Sequence, residues 1–328
     1  MRVPAIGTGV HRADDLVPAL HLRAAVRSDV GELRDTNEDA VHVDPEGQFF
    51  VVADGMGGHA AGEIASALAI EVVRRHLEDE REFLMRQGAR KDADGRTQIR
   101  AALERAVRAA QHAVYDRSQR EADKHQMGTT LEVVVILERE VFVAHVGDSR
   151  TYLVRDGVAV QLTRDHTMAQ ALADAGRSED VEQPGRLRNT LFNVIGVTSG
   201  VRVDHVHREL APGDRVLLCS DGLYEYFSPE ELAAHVGSHA PEDALLELVY
   251  LARARGGHDN ISGIVIEAAA HPHTRPRPLP AVPPQPRPSR VYRAPTPTPT
   301  PRSDGWDEET TLPKPRQSTA SLHWPWLQ

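Results

Sequence analysis

Short runs of apolar, largely β-branched and aromatic residues punctuate the middle of this chain, at 49–53, 133–137, 141–146, 151–154, 216–219 and 261–266. Their length and composition predict strands. Many are apolar on both alternating faces, as expected for strands of a sandwich covered by helices. Two longer segments carry the helical period instead. Over about 62–80, Ile64, Leu68 and Val72 recur every fourth residue; over about 97–120, Ile99, Leu103, Ala106, Ala110 and Val114 share one face. A lone strand, two helices and then more strands predict an α+β layered fold rather than a βαβ repeat.

Residues 22–268 hold all of this patterning and form the expected domain. Residues 1–21 mix glycine, proline and charge without a period and read as a loose leader. Residues 269–328 are proline-rich, with Pro-x-Pro repeats and a Thr-Pro alternation. So few apolar residues cannot offset the entropy of ordering, so a disordered, solvated tail with local polyproline II character is expected.

The 328 residues are 40% hydrophobic and 26% charged, ordinary for a globular protein and enough for a sizeable core without disulfides. A formal net charge of −10 argues against general affinity for nucleic acid or anionic membrane, and is compatible with carboxylates gathered around divalent cations. Cys219 is the only cysteine, which excludes an internal disulfide and a Cys-based zinc site. Within its apolar run it reads as a buried structural thiol. No apolar stretch has signal-peptide or membrane-spanning length, so the cytoplasm is the default compartment.

Acidic residues recur where the predicted strands end. Asp54 follows 49–53, Asp148 follows 141–147, Asp221 follows 216–220, and Asp259 precedes 261–266; Asp54 and Asp221 are each followed by glycine. An aspartate at the edge of an apolar run is costly to desolvate unless it caps, pairs or binds a cation. One such residue is usually a turn former; four are hard to explain as unrelated turns. If the strands lie side by side, their carboxylates meet in one cleft. Oxygen-only ligands suit Mg²⁺ or Mn²⁺, and glycine lets a backbone carbonyl approach a metal closely.

The strings Arg34-Asp35-Thr36-Asn37-Glu38-Asp39, Val52-Ala53-Asp54-Gly55-Met56-Gly57-Gly58-His59, Met127-Gly128-Thr129-Thr130, Val146-Gly147-Asp148-Ser149-Arg150, Cys219-Ser220-Asp221-Gly222-Leu223 and Gly257-His258-Asp259-Asn260-Ile261 stand in the order and rough spacing of the PPM (PP2C-type) phosphatases. The chain resembles the bacterial branch of that family over about residues 22–268.

The resemblance implies a four-layer α-β-β-α sandwich, two antiparallel sheets flanked by helices. It implies hydrolysis of phosphoserine or phosphothreonine in proteins by a metal-activated water, with two catalytic Mn²⁺ or Mg²⁺ ions and room for a third. By position, Asp54 matches the carboxylate that bridges the two metals, Gly55 offers a carbonyl oxygen to one of them, and Asp221 and Asp259 complete the dinuclear centre. Asp148 with Asp221 matches the third-metal site of bacterial members. Glu38 and Asp39 match acidic residues near the metals. Arg34 matches the arginine that grips the substrate phosphate, a task suited to a planar bidentate donor. The implied partners are phosphorylated proteins, with a Ser/Thr kinase and its substrates among them; the chain itself is expected to be a monomer, and its net charge disfavours nucleic acid and membrane as partners.

One position departs from the eukaryotic pattern: Met56, which cannot transfer protons, stands where a histidine has been proposed as general acid. His59, a metal-bound water or a remote acid remain open for that task. His145 and His166 read as packed, hydrogen-bonded residues, and His258 as structural. Ser149 and Ser220 lie outside any Gly-x-Ser-x-Gly elbow, which disfavours a serine-hydrolase triad. The polar stretch 167–196 matches the flap of bacterial members beside the site. Two rivals keep the same scaffold. A catalytically silent phosphoprotein-binding adaptor would have lost a metal carboxylate or Arg34, and a regulatory phosphatase of the anti-anti-sigma kind would differ in its arginine motif and flap.

Overall fold

The computed structural model of this chain describes residues 20–270 apart from 58–60, 178–186 and 188. Most of the expected leader and tail, His59 and the middle of the expected flap lie outside the described residues. Strands β1 (Leu20–Asp29), β2 (Asp39–Val43) and β3 (Phe49–Met56) are followed by helices α1 (Ala61–Asp79), α2 (Arg81–Arg90) and α3 (Ala93–Arg120). Next come β4 (Gly128–Thr129), β5 (Leu131–Leu137), β6 (Glu140–Val146), β7 (Arg150–Arg155), β8 (Val158–Gln161) and α4 (Met168–Asp174). The described chain ends with β9 (Asp204–Glu209), β10 (Arg215–Cys219), α5 (Asp221–Tyr224), α6 (Pro229–Ser238), α7 (Pro241–Ala254) and β11 (Ile261–Ala270).

The strands form two antiparallel sheets, β1-β11-β10-β7-β8 and β2-β3-β5-β6-β9, with β4 joined to β3. Their two-residue period sorts the core into three apolar layers. Phe50, Val52, Val134, Val143, Leu218 and Ile264 meet between the sheets. The alternate residues of the same strands, Phe49, Val51, Val133 and Val135, turn outward against Val73, Leu103, Val107 and other residues of α1 and α3. On the other side Leu217, Cys219 and Val265 pack against Leu232, Val236, Leu245 and Leu248 of α6 and α7. This is the expected α-β-β-α sandwich. Phe50 is fully buried between the sheets; truncating such a residue to alanine costs about 3–5 kcal/mol.

Helix α3 buries the predicted stripe, Ile99, Leu103, Ala106, Ala110 and Val114. In α1 the predicted stripe is rotated. Ala61, Ala65, Ala69, Val73 and Leu77 are buried, with Gly62, Ser66 and Ile70 beside them, while Ile64, Leu68 and Val72 pack half-buried at the margin. Alanines on the inner face let the helix lie close to the sheet and push the larger residues to the flanks. Leu20 and His21, expected in the leader, begin β1, where Leu20 is paired with Ala270 at the end of β11. Among the described residues no helix is long and apolar enough to cross a membrane.

Candidate metal centre

Asp54 does not follow its strand but lies inside it. Strand β3 runs on to Met56 and changes partner on the way, pairing with β5 as far as Val52 and with β4 from Gly55. The backbone of Asp54 is held at this change by two threonines. Its N–H donates to Thr130 Oγ1 (2.9 Å), and its carbonyl accepts from Thr130 N (2.8 Å) and Thr129 Oγ1 (2.9 Å). On the other side, Asp54 is the register partner of Asp39 in β2. Gly55 is required by close backbone approach: a Cβ there would overlap the carbonyl oxygens of Gly62 and Glu38.

The second sheet delivers Asp221 and Asp259 in the same manner. Asp221 opens α5 directly after β10, and Asp259 lies just before β11, the strand beside β10. A Cβ on Gly222 would overlap the carbonyl oxygen of Asn260, so glycine lets these two strand ends close on each other. Asn260 then ties in the loop that carries Arg34. Its side-chain amide donates to the carbonyls of Val30 and Thr36 (2.9 Å each), and its Oδ1 accepts from Glu38 N (2.7 Å). Arg34 Nη2 donates to Asp259 Oδ2 at 2.7 Å. Asp148 sits in the turn between β6 and β7, where Ser149 and Thr130 share a hydroxyl–hydroxyl bond of 2.7 Å.

Arg34, Glu38, Asp54, Gly55, Asp148, Asp221 and Asp259 line one hollow of about 630 Å³. Asp39 is almost wholly buried beside Asp54. All eight residues singled out from the sequence are therefore brought to one place. Burial, and then neighbouring carboxylates, work against ionisation of this cluster. The pKa of Asp39 is pushed up to about 7, that of Asp148 to about 7 and that of Asp221 to about 6, and Asp54 lies well above the usual carboxylate range.

Divalent cations suit these residues on two observations. The donor set is entirely oxygen, the preference of Mg²⁺ and Mn²⁺. In addition, Asp39 Oδ1 and Asp221 Oδ1 are buried without a hydrogen-bond partner, a costly state that a cation would relieve. The carboxylates line the walls, and among the described residues no three His, Cys, Asp or Glu side chains are gathered closely enough to hold a metal ion by themselves.

The serines and histidines fall as predicted. Ser220 Oγ donates to Asp39 Oδ2 (2.8 Å) and accepts from Ser262 N (3.1 Å), a bracing rather than a nucleophilic arrangement. His145 is fully buried, with Nδ1 2.6 Å from Glu132 Oε2 and Nε2 3.0 Å from the Arg164 carbonyl. Both ring nitrogens face oxygen atoms, an arrangement that suits a charged imidazolium. Burial opposes that charge, but Glu132 opposite prevails and raises the His145 pKa. His166 binds the turn ahead of Asp148 through Gly147 N (3.1 Å). His258 is exposed, and its backbone N–H donates to the Tyr226 hydroxyl. Met56 lines the hollow and carries no exchangeable proton. Asn260, Thr130 and Ser220 all stand inside the quoted strings, but their bracing roles emerge only from contacts across the fold.

The comparisons with known proteins agree with this geometry. Residues 34–244 match the protein phosphatase 2C family. The serine/threonine protein phosphatase PstP of Mycobacterium tuberculosis is 37% identical over 248 residues, 76% of this chain and 45% of that protein, so the chain's match spans about half the length of that relative. The serine/threonine phosphatase stp of Listeria monocytogenes is 31% identical over 75% of this chain and 96% of its own. Among solved structures, the catalytic domain of PstP in complex with two manganese ions superposes with a TM-score of 0.65 at 35% identity, over 76% of this chain and 99% of that one.

Proposed function

The chain belongs to the protein phosphatase 2C family, and from that premise we propose that it is a metal-dependent phosphatase hydrolysing phosphoserine and phosphothreonine in other proteins. The observation that carries this reading is the convergence of Asp54, Asp148, Asp221 and Asp259 from both sheets on one hollow that Arg34 also enters. A silent adaptor would have lost Arg34 or one of these carboxylates, and this chain retains them all.

In this reading Asp54, Asp221, Asp259 and the Gly55 carbonyl hold two Mn²⁺ or Mg²⁺ ions, and Asp148 with Asp221 holds a third. The two manganese ions of the PstP catalytic domain support the number and kind of cation. The ions, when bound, acidify a water for attack and place positive charge against the phosphoryl oxygens. The protein's own groups do the rest. Ser220 orients Asp39 through its hydroxyl, and Thr129 and Thr130 fix the backbone of Asp54. Arg34 leaves Asp259 to bind the phosphate with its planar guanidinium, where a bidentate contact also sets orientation. Water oxygen bonds to phosphorus as the ester P–O bond breaks; the attacking water gives up one proton and the departing serine or threonine oxygen takes one, so the step is proton-neutral.

The substrates are phosphorylated proteins, including a Ser/Thr kinase and its targets, met in the cytoplasm by a monomer. Phosphate release from a phosphothreonine peptide with Mn²⁺, with Mg²⁺ and with chelator tests the reaction. Turnover with either metal and none with chelator is expected; full turnover in excess chelator would overturn the reading. Arg34→Ala should lower kcat/KM at least tenfold, an unchanged value counting against its role.

A further inference from the structure

We propose that Leu33 forms an apolar subsite that selects phosphopeptides with a large apolar side chain next to the phosphorylated residue. The proposal rests on the phosphatase reading and names its preferred substrate class. Leu33 is 68% exposed and lines the same hollow as Arg34, on a loop whose backbone is tied down on both sides of it. On one side Gly31 N donates to Asp29 Oδ1 (2.9 Å), and Glu32 N donates to the Gly257 carbonyl (2.8 Å). On the other side Arg34 is paired to Asp259, and Asn260 grips the loop at both Val30 and Thr36. A leucine fixed in water at a site mouth forfeits the burial that normally favours it, and a bound chain can restore that burial.

The occupant follows from what stands around Leu33. A phosphate bound at Arg34 brings the substrate chain to the mouth where Leu33 is exposed, within reach of a residue flanking the phosphorylated one. Leu191 and Met56 also line the hollow, and Leu191 is held by a bridge to Thr167. Among the described lining residues Arg34 is the only cationic side chain. With Arg34 engaged by phosphate, the carboxylates that line the hollow and exposed Asp35 disfavour an acidic neighbour. An apolar neighbour buries Leu33 instead.

The test uses the full-length chain with Mn²⁺ and phosphothreonine peptides that differ only in the residue on either side of the phosphothreonine: Leu, Ala or Glu. At one of the two flanking positions, kcat/KM is expected to fall about tenfold from Leu to Ala and further to Glu. Leu33→Ala should bring the Leu-to-Ala ratio close to one, Leu33→Glu should do the same, and Leu33→Met should keep the preference. A wild-type chain indifferent to both flanking residues overturns the proposal, as does an unchanged ratio in Leu33→Ala. Hydrolysis of p-nitrophenyl phosphate by the wild-type chain separates the two levels of argument. Its absence, together with no peptide turnover, overturns the phosphatase reading itself, whereas its presence with no flanking preference overturns the Leu33 subsite alone.

Discussion

Asp39 and Asp54 stand directly opposite each other in the antiparallel pairing of β2 with β3. Facing side chains in such a pair have Cβ atoms about 4.5–5.5 Å apart, and like charges there are destabilising. Ser220 stabilises one oxygen of Asp39, but the other has no hydrogen-bond partner. The arrangement makes sense as a site that gives up stability to hold a cation, a common exchange where function needs a strained group.

The first prediction concerns the metal-free protein. Burial raises the Asp39 pKa to about 7, above the unfolded value of about 3.9. Folding therefore favours the protonated form, and the stability this contributes is present below about pH 4 and lost as pH rises through about 7. At pH 8 in chelator, Asp39→Asn should stabilise the chain by about 1–2 kcal/mol, or about 2–8 °C in Tm. With Mn²⁺ the gain should disappear, because the variant binds the ion less well. Thermal melts with and without metal decide it, and a metal-free Asp39→Asn chain that melts below wild type would refute the argument.

A second expectation concerns Asn260. Replacing it with Asp keeps an acceptor for Glu38 N but removes the donors to Val30 and Thr36. The Arg34 loop should loosen, raising KM for phosphopeptides more than it lowers kcat. Two carbonyls lose their partners at about 1–3 kcal/mol each if they stay dry, so a drop in stability of about 2–6 kcal/mol should accompany the kinetic change. Chemical denaturation and steady-state kinetics on one preparation check both, and unchanged values of either would refute the bracing role.

Much of this site could be read from sequence because its carboxylates interrupt unusually clear strands. β5, β6 and β10 are buried on both faces, so their apolar runs and the aspartates that follow β6 and β10 stand out. The elements that escaped are those whose pattern is diluted by exposure. β9, Asp-His-Val-His-Arg-Glu, is an edge strand with no fully buried residue, and β1 alternates its half-buried apolar residues with Arg23 and Arg27 on the other face. Asp54 looked like a strand terminus because Gly55 and Gly57 resemble a turn, whereas β4 extends the pairing through Gly55. The bracing by Asn260 was hidden for another reason: its carbonyl partner on Val30 lies 230 positions away in the chain. No local pattern encodes a contact of that range.

Cys219 offers a simple negative control. It is fully buried, and burial pushes its thiol pKa well above the ordinary range, so the reactive thiolate is suppressed. Turnover should withstand thiol alkylation, and Cys219→Ala should keep catalysis while losing about 1 kcal/mol of packing. Inactivation of wild type by an alkylating reagent that spares Cys219→Ala would contradict this placement.

His166 joins the Asp148 turn to the segment that returns from the flap. Its Nδ1 accepts from Gly147 N (3.1 Å) and from Asn193 Nδ2 (2.7 Å), while Nε2 donates to Asp204 Oδ2 (3.1 Å). Only the neutral ring with its proton on Nε2 satisfies all three contacts, since a proton on Nδ1 would displace two donors. Burial, with His145 nearby, lowers the pKa to about 4, below the unfolded value of about 6.5. The folded state therefore favours the neutral ring. Its contribution to stability is complete above about pH 6.5 and is lost as pH falls toward 4. His166→Asn should destabilise the protein at pH 7.5 by about 2–4 kcal/mol through the donors left unpaired. The gap from wild type should then narrow at pH 4.5, by up to about 3 kcal/mol, because wild type alone must protonate this ring on unfolding. Urea titrations of both proteins in chelator at the two pH values measure the gap directly. A gap of equal size at pH 4.5 and 7.5 would show that the ring holds the same charge folded and unfolded, and the clamp would then need another explanation.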